Sequence, residues 1–107
     1  AKVPLFIIPC IESRFENEDV FTQASMWGSI LPSTWSLMLA LRARQIASAW
    51  TTIHLVFEKE IAEMLSIPEN YTQAALLPVA WLKGDKLHKA KRLSLDEVAF
   101  WDNWGDW

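Results

Sequence analysis

The chain of 107 residues is poor in the residue types that form cross-links, metal sites and tight phosphate-binding turns: it has one cysteine, two histidines and three glycines. A single cysteine, Cys10, excludes an internal disulfide and fits a reducing compartment, so we expect a cytoplasmic protein. Cys10 has no basic neighbour in sequence and is interpreted as a small apolar residue at the end of a strand, with a reactive thiol as the alternative. Because Cys10, His54 and His88 are far apart and begin no ligand motif, no metal site is expected.

The scarcity of glycine also excludes several catalytic signatures. A phosphate loop, a Gly-x-Gly dinucleotide fingerprint and a nucleophile elbow all need glycines at spacings that this chain does not have. The formal net charge of −3 gives no general reason to expect nucleic acid or an anionic membrane surface as a partner. Residues 20–41 carry no charge, but seven Ser, Thr or Gln residues together with Gly28 and Pro32 interrupt them, which favours a soluble core helix over a membrane span.

Apolar side chains, by contrast, are abundant. They make up 51% of the sequence, and seven of them are tryptophans. A chain this short buries a smaller fraction of its surface than a longer one does, so it has more apolar side chain than it can easily hide alone. We therefore expect an obligate partner, either a second copy in a homo-oligomer or the missing half of a larger domain.

The longest apolar stretch predicts the main helix of the domain. Between Ile30 and Leu41 apolar residues fall on every side of a 3.6-residue helix, which predicts a central helix that is buried all round. Pro32 suits its first turn, where an N–H is not needed, and Arg42 and Arg44 suit its last turn, where cations favour the negative end of the helix dipole. We predict that this helix packs on a small sheet in an α+β domain.

The remaining elements follow from shorter patterns. Strands are predicted at 5–8, covered on both faces, and at 48–53 and 72–82, with Pro78 at a bulge or with its nitrogen facing away from a neighbour. The polar stretch from Glu12 to Asp19 predicts a solvated loop. An amphipathic helix is predicted at 55–65, and the capping box that begins at Ser94 predicts a helix of about two turns.

The order of these segments resembles the C-terminal half of the nitroreductase family of FMN-dependent oxidoreductases. The segments that carry the resemblance are 29–54 (SILPSTWSLMLALRARQIASAWTTIH), 55–60, 65–69, 75–80, 91–98 and the tryptophan-rich stretch 101–104. The resemblance implies one partial domain, 1–107, which a partner chain or an N-terminal half completes. In the family that half carries an arginine-rich segment for the FMN phosphate and much of the homodimer interface.

The activity that the resemblance implies is transfer of a hydride from NAD(P)H through bound FMN to a nitroaromatic, quinone or flavin-like acceptor. A non-catalytic structural remnant and a flavin-sequestering module without turnover are the alternatives, since the phosphate-binding half is missing. No catalytic side chain is assigned, because the flavin performs the redox step and the protein positions and tunes it.

The resemblance also implies site residues. Trp50, Thr51 and Thr52 occupy the strand end whose backbone lies against the flavin and offers amide donors, although Trp50 taken alone is a core aromatic. His54 is a candidate for the substrate pocket or, alternatively, a hydrogen-bonded turn residue. The residues expected to reach the FMN phosphate are Lys89, Lys91 and, as the best candidate, Arg92. The alternative for these three is a solvated basic loop.

One departure from the family pattern lies between the helix and the strand. Many relatives have Gly-Leu-Gly where this chain has Gln45-Ile46-Ala47. A non-glycine residue that keeps the left-handed conformation of such a helix cap carries a strain of about 1 kcal/mol. The turn that leads to Trp50 is therefore expected to be strained or to differ in shape.

Overall fold

A computed structural model describes residues 3–84 and 88–105 of the chain. The helices and strands, in chain order, are β1 (Leu5–Ile7), β2 (Cys10–Glu12), α1 (Val20–Arg42), β3 (Ile46–Ser48), α2 (Glu58–Leu65), β4 (Tyr71–Gln73) and β5 (Leu77–Trp81). Two 3₁₀ turns accompany them, Ile53–Phe57 directly before α2 and Leu95–Glu97 near the end. The prediction of an α+β class is confirmed at this general level.

Two small antiparallel sheets form the β part of the fold. In the first sheet β5 lies between β1 and β3, and in the second β2 pairs with β4. Buried Leu77 and Val79 of β5 form the core together with Ala75, and Leu37, Met38 and Leu41 of α1 pack against them. The fold therefore has α1 on one face of the three-stranded sheet.

Pro78 lies inside the central strand of the first sheet. It pairs with Phe6 of β1 on one side, and on the other side its carbonyl accepts a hydrogen bond from the Ala49 N–H (3.3 Å). Two residues paired in this way normally exchange two hydrogen bonds, but Pro78 has no N–H to return. Its nitrogen thus faces a neighbouring segment, contrary to the prediction, and the missing bond coincides with the end of the regular β3 ladder.

Helix α1 is longer and more exposed than the sequence pattern predicted. It begins at Val20, where the Asp19 carboxylate accepts a hydrogen bond from the Thr22 N–H (2.8 Å), so Pro32 lies in its middle and not in its first turn. Only Thr34 of the helix is buried, and Phe21 is 80% exposed. The prediction of a helix buried all round is wrong because a single three-stranded sheet covers one side of it.

The turn from α1 to β3 has the left-handed conformation, one of the two alternatives that the family resemblance implied. Gln45 has φ 61°, a region that side chains with a Cβ disfavour. Its carbonyl accepts a hydrogen bond from the Leu82 N–H (3.0 Å), which extends the register of β3 with β5 by one pair. The strain expected at Gln45 is therefore present.

The shorter elements differ from the predictions in extent. The predicted helix 55–65 starts as the Ile53–Phe57 3₁₀ turn, and the predicted strand 72–82 divides into β4 and β5. The strand predicted at 48–53 shares one residue with β3, Ser48, and beyond it the chain has an isolated bridge from Thr51 to Leu76. The capping box at Ser94 is confirmed, but it begins one 3₁₀ turn and not two helical turns. Strand β2 was not predicted, and the expected covering of β1 on both faces is wrong because Leu5 and Phe6 are exposed.

Large apolar side chains remain on the surface of this arrangement. The Cα radius of gyration is 17.4 Å, whereas a compact domain of this length has about 13 Å. Exposed apolar residues occur on α1, on the Ile53–Phe57 turn and in the stretch that contains Trp101 and Trp104. Within the described ranges, no helix has the length and hydropathy that crossing a membrane requires.

Candidate functional site

The 50–54 segment carries the residues predicted to contact the flavin. It is held by hydrogen bonds to Leu76, the residue directly before β5. Three hydrogen bonds join Thr51 to Leu76: the Thr51 N–H donates to the Leu76 carbonyl (3.1 Å), the Leu76 N–H donates to the Thr51 carbonyl (2.8 Å), and the Thr51 hydroxyl donates to the Leu76 carbonyl (2.7 Å). This pair continues the register that joins β3 to β5. The end of the strand is thus fixed against the core.

The same register decides which backbone amides are available to a ligand. Ala49 and Thr51 direct their N–H groups toward β5, and alternate residues of an antiparallel strand point to opposite edges. The Trp50 N–H therefore points away from β5, and it has no hydrogen-bond partner among the described residues. Trp50 is 37% exposed, which is more than a core aromatic would be. Of the two adjacent amides, Trp50 offers a donor and Thr51 does not.

His54 follows this strand end and is buried, with 7% of its surface exposed. Neither Nδ1 nor Nε2 has a hydrogen-bond partner in the described structure, so the interpretation of His54 as a hydrogen-bonded turn residue is wrong. Burial lowers the pKa of the imidazole, while the negative charge of Glu58 acts in the opposite direction. Because so little of its surface is accessible, His54 is poorly placed to line an open substrate pocket in this conformation.

The predicted phosphate ligands Lys89, Lys91 and Arg92 lie on the surface, and residues 85–87 of the same basic stretch lie outside the described residues. The Arg92 guanidinium donates one hydrogen bond, to the Lys91 carbonyl (3.3 Å). No hydrogen bond or ion pair in the described structure joins these three residues to the 50–54 segment. They form an exposed basic surface next to the confirmed Ser94 capping box.

Sequence reasoning missed a polar cluster around Glu58, the first residue of α2. The Glu58 carboxylate accepts hydrogen bonds from the Arg14 guanidinium (3.0 and 3.2 Å) and from the Gln73 N–H (3.1 Å). The Gln73 side-chain amide donates in turn to the Glu58 carbonyl (2.9 Å). Gln73 is 1% exposed, so this cluster reaches the interior of the molecule.

Arg14 joins the cluster to the loop that precedes α1. Its guanidinium also donates to the Tyr71 carbonyl (2.9 Å) and to Glu16 (2.8 and 3.0 Å). No sequence signal pointed to these contacts, because Arg14 and Glu58 are 44 positions apart and an isolated Arg in a polar loop is usually solvated. The only available hint was Gln73, a polar residue directly before the apolar stretch 74–77.

The cluster sets the charge of the groups around it. Burial raises the pKa of the Glu58 carboxyl, but the hydrogen bonds from Arg14 and from the Gln73 N–H outweigh this effect and hold the pKa below its usual value. The Cys10 thiol is half-buried, and its pKa is raised by burial and then by the charge of Glu58. The raised pKa favours the neutral thiol over a reactive thiolate. The interpretation of Cys10 as a small buried residue at the end of a strand is wrong in its details, because Cys10 is only half-buried and begins β2.

Two cavities flank Arg14. One, of about 300 Å³, lies between the loop before α1 and the cluster, and its aromatic wall is the edge-to-face pair of Phe15 and Trp27 (centroids 4.8 Å apart). The other, of about 710 Å³, is an open groove beside α2 whose lining includes Lys59 and Glu63. No group of His, Cys, Asp and Glu side chains in the described ranges has the arrangement of a metal site.

Comparison of the chain with known proteins adds no assignment to this geometry. No protein-family model matches the sequence, and no curated protein matches it. Function is therefore argued from the resemblance of the segments and from the site itself.

Proposed function

We propose that the chain is part of an FMN-dependent oxidoreductase of nitroreductase type, which passes a hydride from NAD(P)H through flavin to a nitroaromatic, quinone or flavin-like acceptor. The observation that carries the proposal is the strand end at Trp50. There, Thr51 is fixed to Leu76 by three hydrogen bonds, while Trp50 is 37% exposed and its N–H has no hydrogen-bond partner among the described residues. A fixed amide donor beside a partly exposed aromatic is what a flavin wall needs.

Residues in two places would hold FMN in the proposed site. The Trp50 N–H and the adjacent Thr52 backbone would lie along the flavin ring, and Arg92 with Lys89 or Lys91 would neutralise the phosphate, since these cations have no acidic partner in the described structure. The flavin supplies the redox chemistry when bound. The chain's own task is to hold the ring, present a donor to it and bind the phosphate.

We also propose that the site is completed by a second copy of the chain or by an N-terminal half of the same domain. The exposed side of α1 supports this, because apolar Phe21, Trp35 and Leu39 lie there together with several small residues. Exposed apolar surface of this extent is typical of a protein interface. A partner on α1 would also provide the second flavin wall that the chain lacks.

A flavin-sequestering module or a structural remnant is the second candidate, and one specific observation favours it. The Thr51 amide is committed to Leu76, so the strand end offers fewer donors to the flavin than the resemblance implied. A site with fewer donors would hold the ring less well for hydride transfer. Binding and turnover therefore have to be measured separately.

Gel filtration of the purified chain after incubation with FMN tests the proposal. Retention of the visible absorption band of oxidised flavin with the protein peak, and its loss in a Trp50→Gly variant that remains folded, are the expected results. The Trp104→Gly variant, which removes an exposed tryptophan elsewhere, is the matched control. If neither the chain alone nor the chain supplied with a family-type N-terminal half retains flavin, the structural remnant is the better description.

A further inference from the structure

We propose that Glu58 is a positioning residue: its contacts with Gln73 and Arg14 fix the turn that carries the flavin wall. The inference rests on the proposed function for its binding readout, but its structural part can be tested without flavin. The relevant turn runs from Thr51, at the strand end, to Glu58, at the start of α2.

Both ends of this turn are attached to the same stretch of the core. Thr51 is bonded to Leu76, and Glu58 is bonded to Gln73, three residues earlier in the chain. The intervening residues Ala74 and Ala75 are buried, at 3% and 0% exposure, so the attachment points cannot move relative to each other without disturbing the core. The turn is therefore held between two fixed points.

The two attachments differ in how they can be changed. At Thr51 two of the three hydrogen bonds are between backbone groups, which every substitution other than proline leaves in place. At Glu58 one bond is made by its carboxylate and the other by its carbonyl. Removal of the carboxylate leaves the Gln73 N–H without that acceptor in a buried position, which is costly. Glu58 is thus the side chain on which the position of the turn depends.

The buried side chain of His54 packs into the interior, but among the described residues no side chain of 52–57 makes a hydrogen bond to the core. His54 lies between the two ends, but neither of its nitrogens has a hydrogen-bond partner in the described part of the chain. The Leu55 N–H donates to the Thr52 carbonyl (3.0 Å), which closes the turn locally without joining it to the core. The exposed side chains of Ile53 and Val56 do not anchor it.

Glu16 provides a matched control for Glu58. Both carboxylates accept hydrogen bonds from Arg14 at similar distances, 2.8 and 3.0 Å for Glu16 against 3.0 and 3.2 Å for Glu58. Glu16 lies in the exposed loop before α1 and has no contact with Gln73 among the described hydrogen bonds. An effect that follows loss of Arg14 pairing alone should appear in both variants, whereas positioning of the turn should depend on Glu58 only.

The experiment compares Glu58→Ala, Glu58→Gln and Glu16→Ala in the full chain by amide hydrogen exchange and by titration with FMN and riboflavin. In Glu58→Ala, we expect faster exchange over 52–57, unchanged exchange over 77–81, and loss of about tenfold in affinity for both flavins, the scale of one charge-assisted hydrogen bond. Equal losses for FMN and riboflavin are expected because the turn faces the ring and not the phosphate. Glu16→Ala should change each quantity by less than about twofold.

The conservative variant separates positioning from a general loss of stability. Glu58→Gln retains an oxygen that can accept from the Gln73 N–H, so it should restore wild-type exchange over 52–57 and most of the flavin affinity. Wild-type exchange over 52–57 in a folded Glu58→Ala protein would overturn the inference, as would equal effects of Glu16→Ala. If Glu58→Ala does not fold, Glu58→Met takes its place, because it keeps the length of the side chain and still removes the acceptor for the Gln73 N–H, and unchanged exchange over 52–57 in that variant would equally overturn the inference. Failure of the wild-type chain to bind either flavin, both alone and when supplied with a family-type N-terminal half, would remove the proposed function, while the exchange data would still decide the role of Glu58.

Discussion

Thr51 and Leu76 form the most completely bonded pair at the predicted flavin wall, with reciprocal backbone hydrogen bonds of 3.1 and 2.8 Å and a third from the Thr51 hydroxyl at 2.7 Å. The pair continues the register of β3 with β5 past Pro78, which has no N–H to donate to Ala49. In the proposed site Thr51 would therefore contribute rigidity to the wall and Trp50 would contribute the amide. The resemblance alone assigned donors to all three residues of the 50–52 segment without distinguishing them.

Replacement of Gln45 by glycine should stabilise the chain. Gln45 adopts φ 61°, and a residue without a Cβ has no steric penalty there, so we expect the free energy of unfolding to rise by about 1 kcal/mol. Urea denaturation followed by circular dichroism measures the change. Gln45→Ala is the control, since it keeps a Cβ and should gain nothing, and an equal gain in both variants would refute the strain.

The sequence predicted the Ser94 capping box because that motif depends on a local conformational rule, whereas the left-handed turn at Gln45 was one of two alternatives that the family resemblance implied. The sequence pattern failed for the burial of α1, since the number of sides that a helix buries depends on how many layers pack on it. Periodicity shows that the apolar residues surround the helix, but it cannot show that the layers packed on α1 in the described structure leave Phe21, Trp35 and Leu39 exposed. The Glu58 cluster was missed for a related reason, because its partners come from three separate segments.

His54 should make the fold sensitive to mild acid. Burial lowers the pKa of its imidazole in the folded chain, and Glu58, the charged group that acts on it, only partly offsets this. The unfolded chain, with an ordinary histidine pKa of about 6.5, therefore takes up a proton first. Stability should be full above that pH and should decrease as the pH falls through it toward the lower pKa of the folded state.

The variant His54→Phe tests this prediction. It removes the titrating group and two buried nitrogens that lack hydrogen-bond partners, while an aromatic ring still fills the space. The gain in the free energy of unfolding of His54→Phe over the wild type should be larger at about pH 5 than at about pH 8. His88→Phe is the control because His88 is exposed. An identical pH dependence of unfolding in His54→Phe and the wild type would contradict the assignment.

Association should depend on the exposed side of α1. A Cβ at Gly28 would meet no atom within 4 Å in the chain itself, so the monomer places no steric demand on this position. Both Gly28→Ala and Gly28→Leu should stabilise the helix, by roughly 0.5 to 1 kcal/mol. If a partner packs closely on this side of α1, in an interface above about 1,000 Å², the larger side chain of Gly28→Leu should weaken association and Gly28→Ala should not.

Sedimentation velocity over a range of protein concentrations measures this effect. We expect the wild type and Gly28→Ala to self-associate and Gly28→Leu to shift toward monomer. A wild-type chain that is well folded and monomeric at high concentration would count against self-association. Equal association of Gly28→Leu and Gly28→Ala would place the interface on another surface.

Arg92 should distinguish FMN from riboflavin. Its guanidinium is exposed and donates only to the Lys91 carbonyl in the described structure, so it is available to a phosphate. Arg92→Gln should weaken FMN binding by about 1.5 to 3 kcal/mol, less in high salt, and should leave riboflavin binding unchanged. Isothermal titration with both ligands, and with Arg44→Gln as a control at another exposed arginine, measures the difference. Equal losses for both ligands would exclude Arg92 from the phosphate site.

The chain on its own should be a poor enzyme even if it binds flavin. Hydride transfer requires donor, flavin and acceptor to be held near contact distance, and small misplacements cost large factors in rate. The described residues supply one wall, built on Trp50 and fixed through Thr51, whereas the surface basic residues from Lys89 to Arg92 are not joined to it by hydrogen bonds. NAD(P)H oxidation by the chain with added FMN should therefore be close to that of free FMN and should increase greatly when a family-type N-terminal half is supplied. If the isolated chain shows robust turnover and gel filtration shows that it is oligomeric, copies of the chain complete the site for one another and no further half is needed.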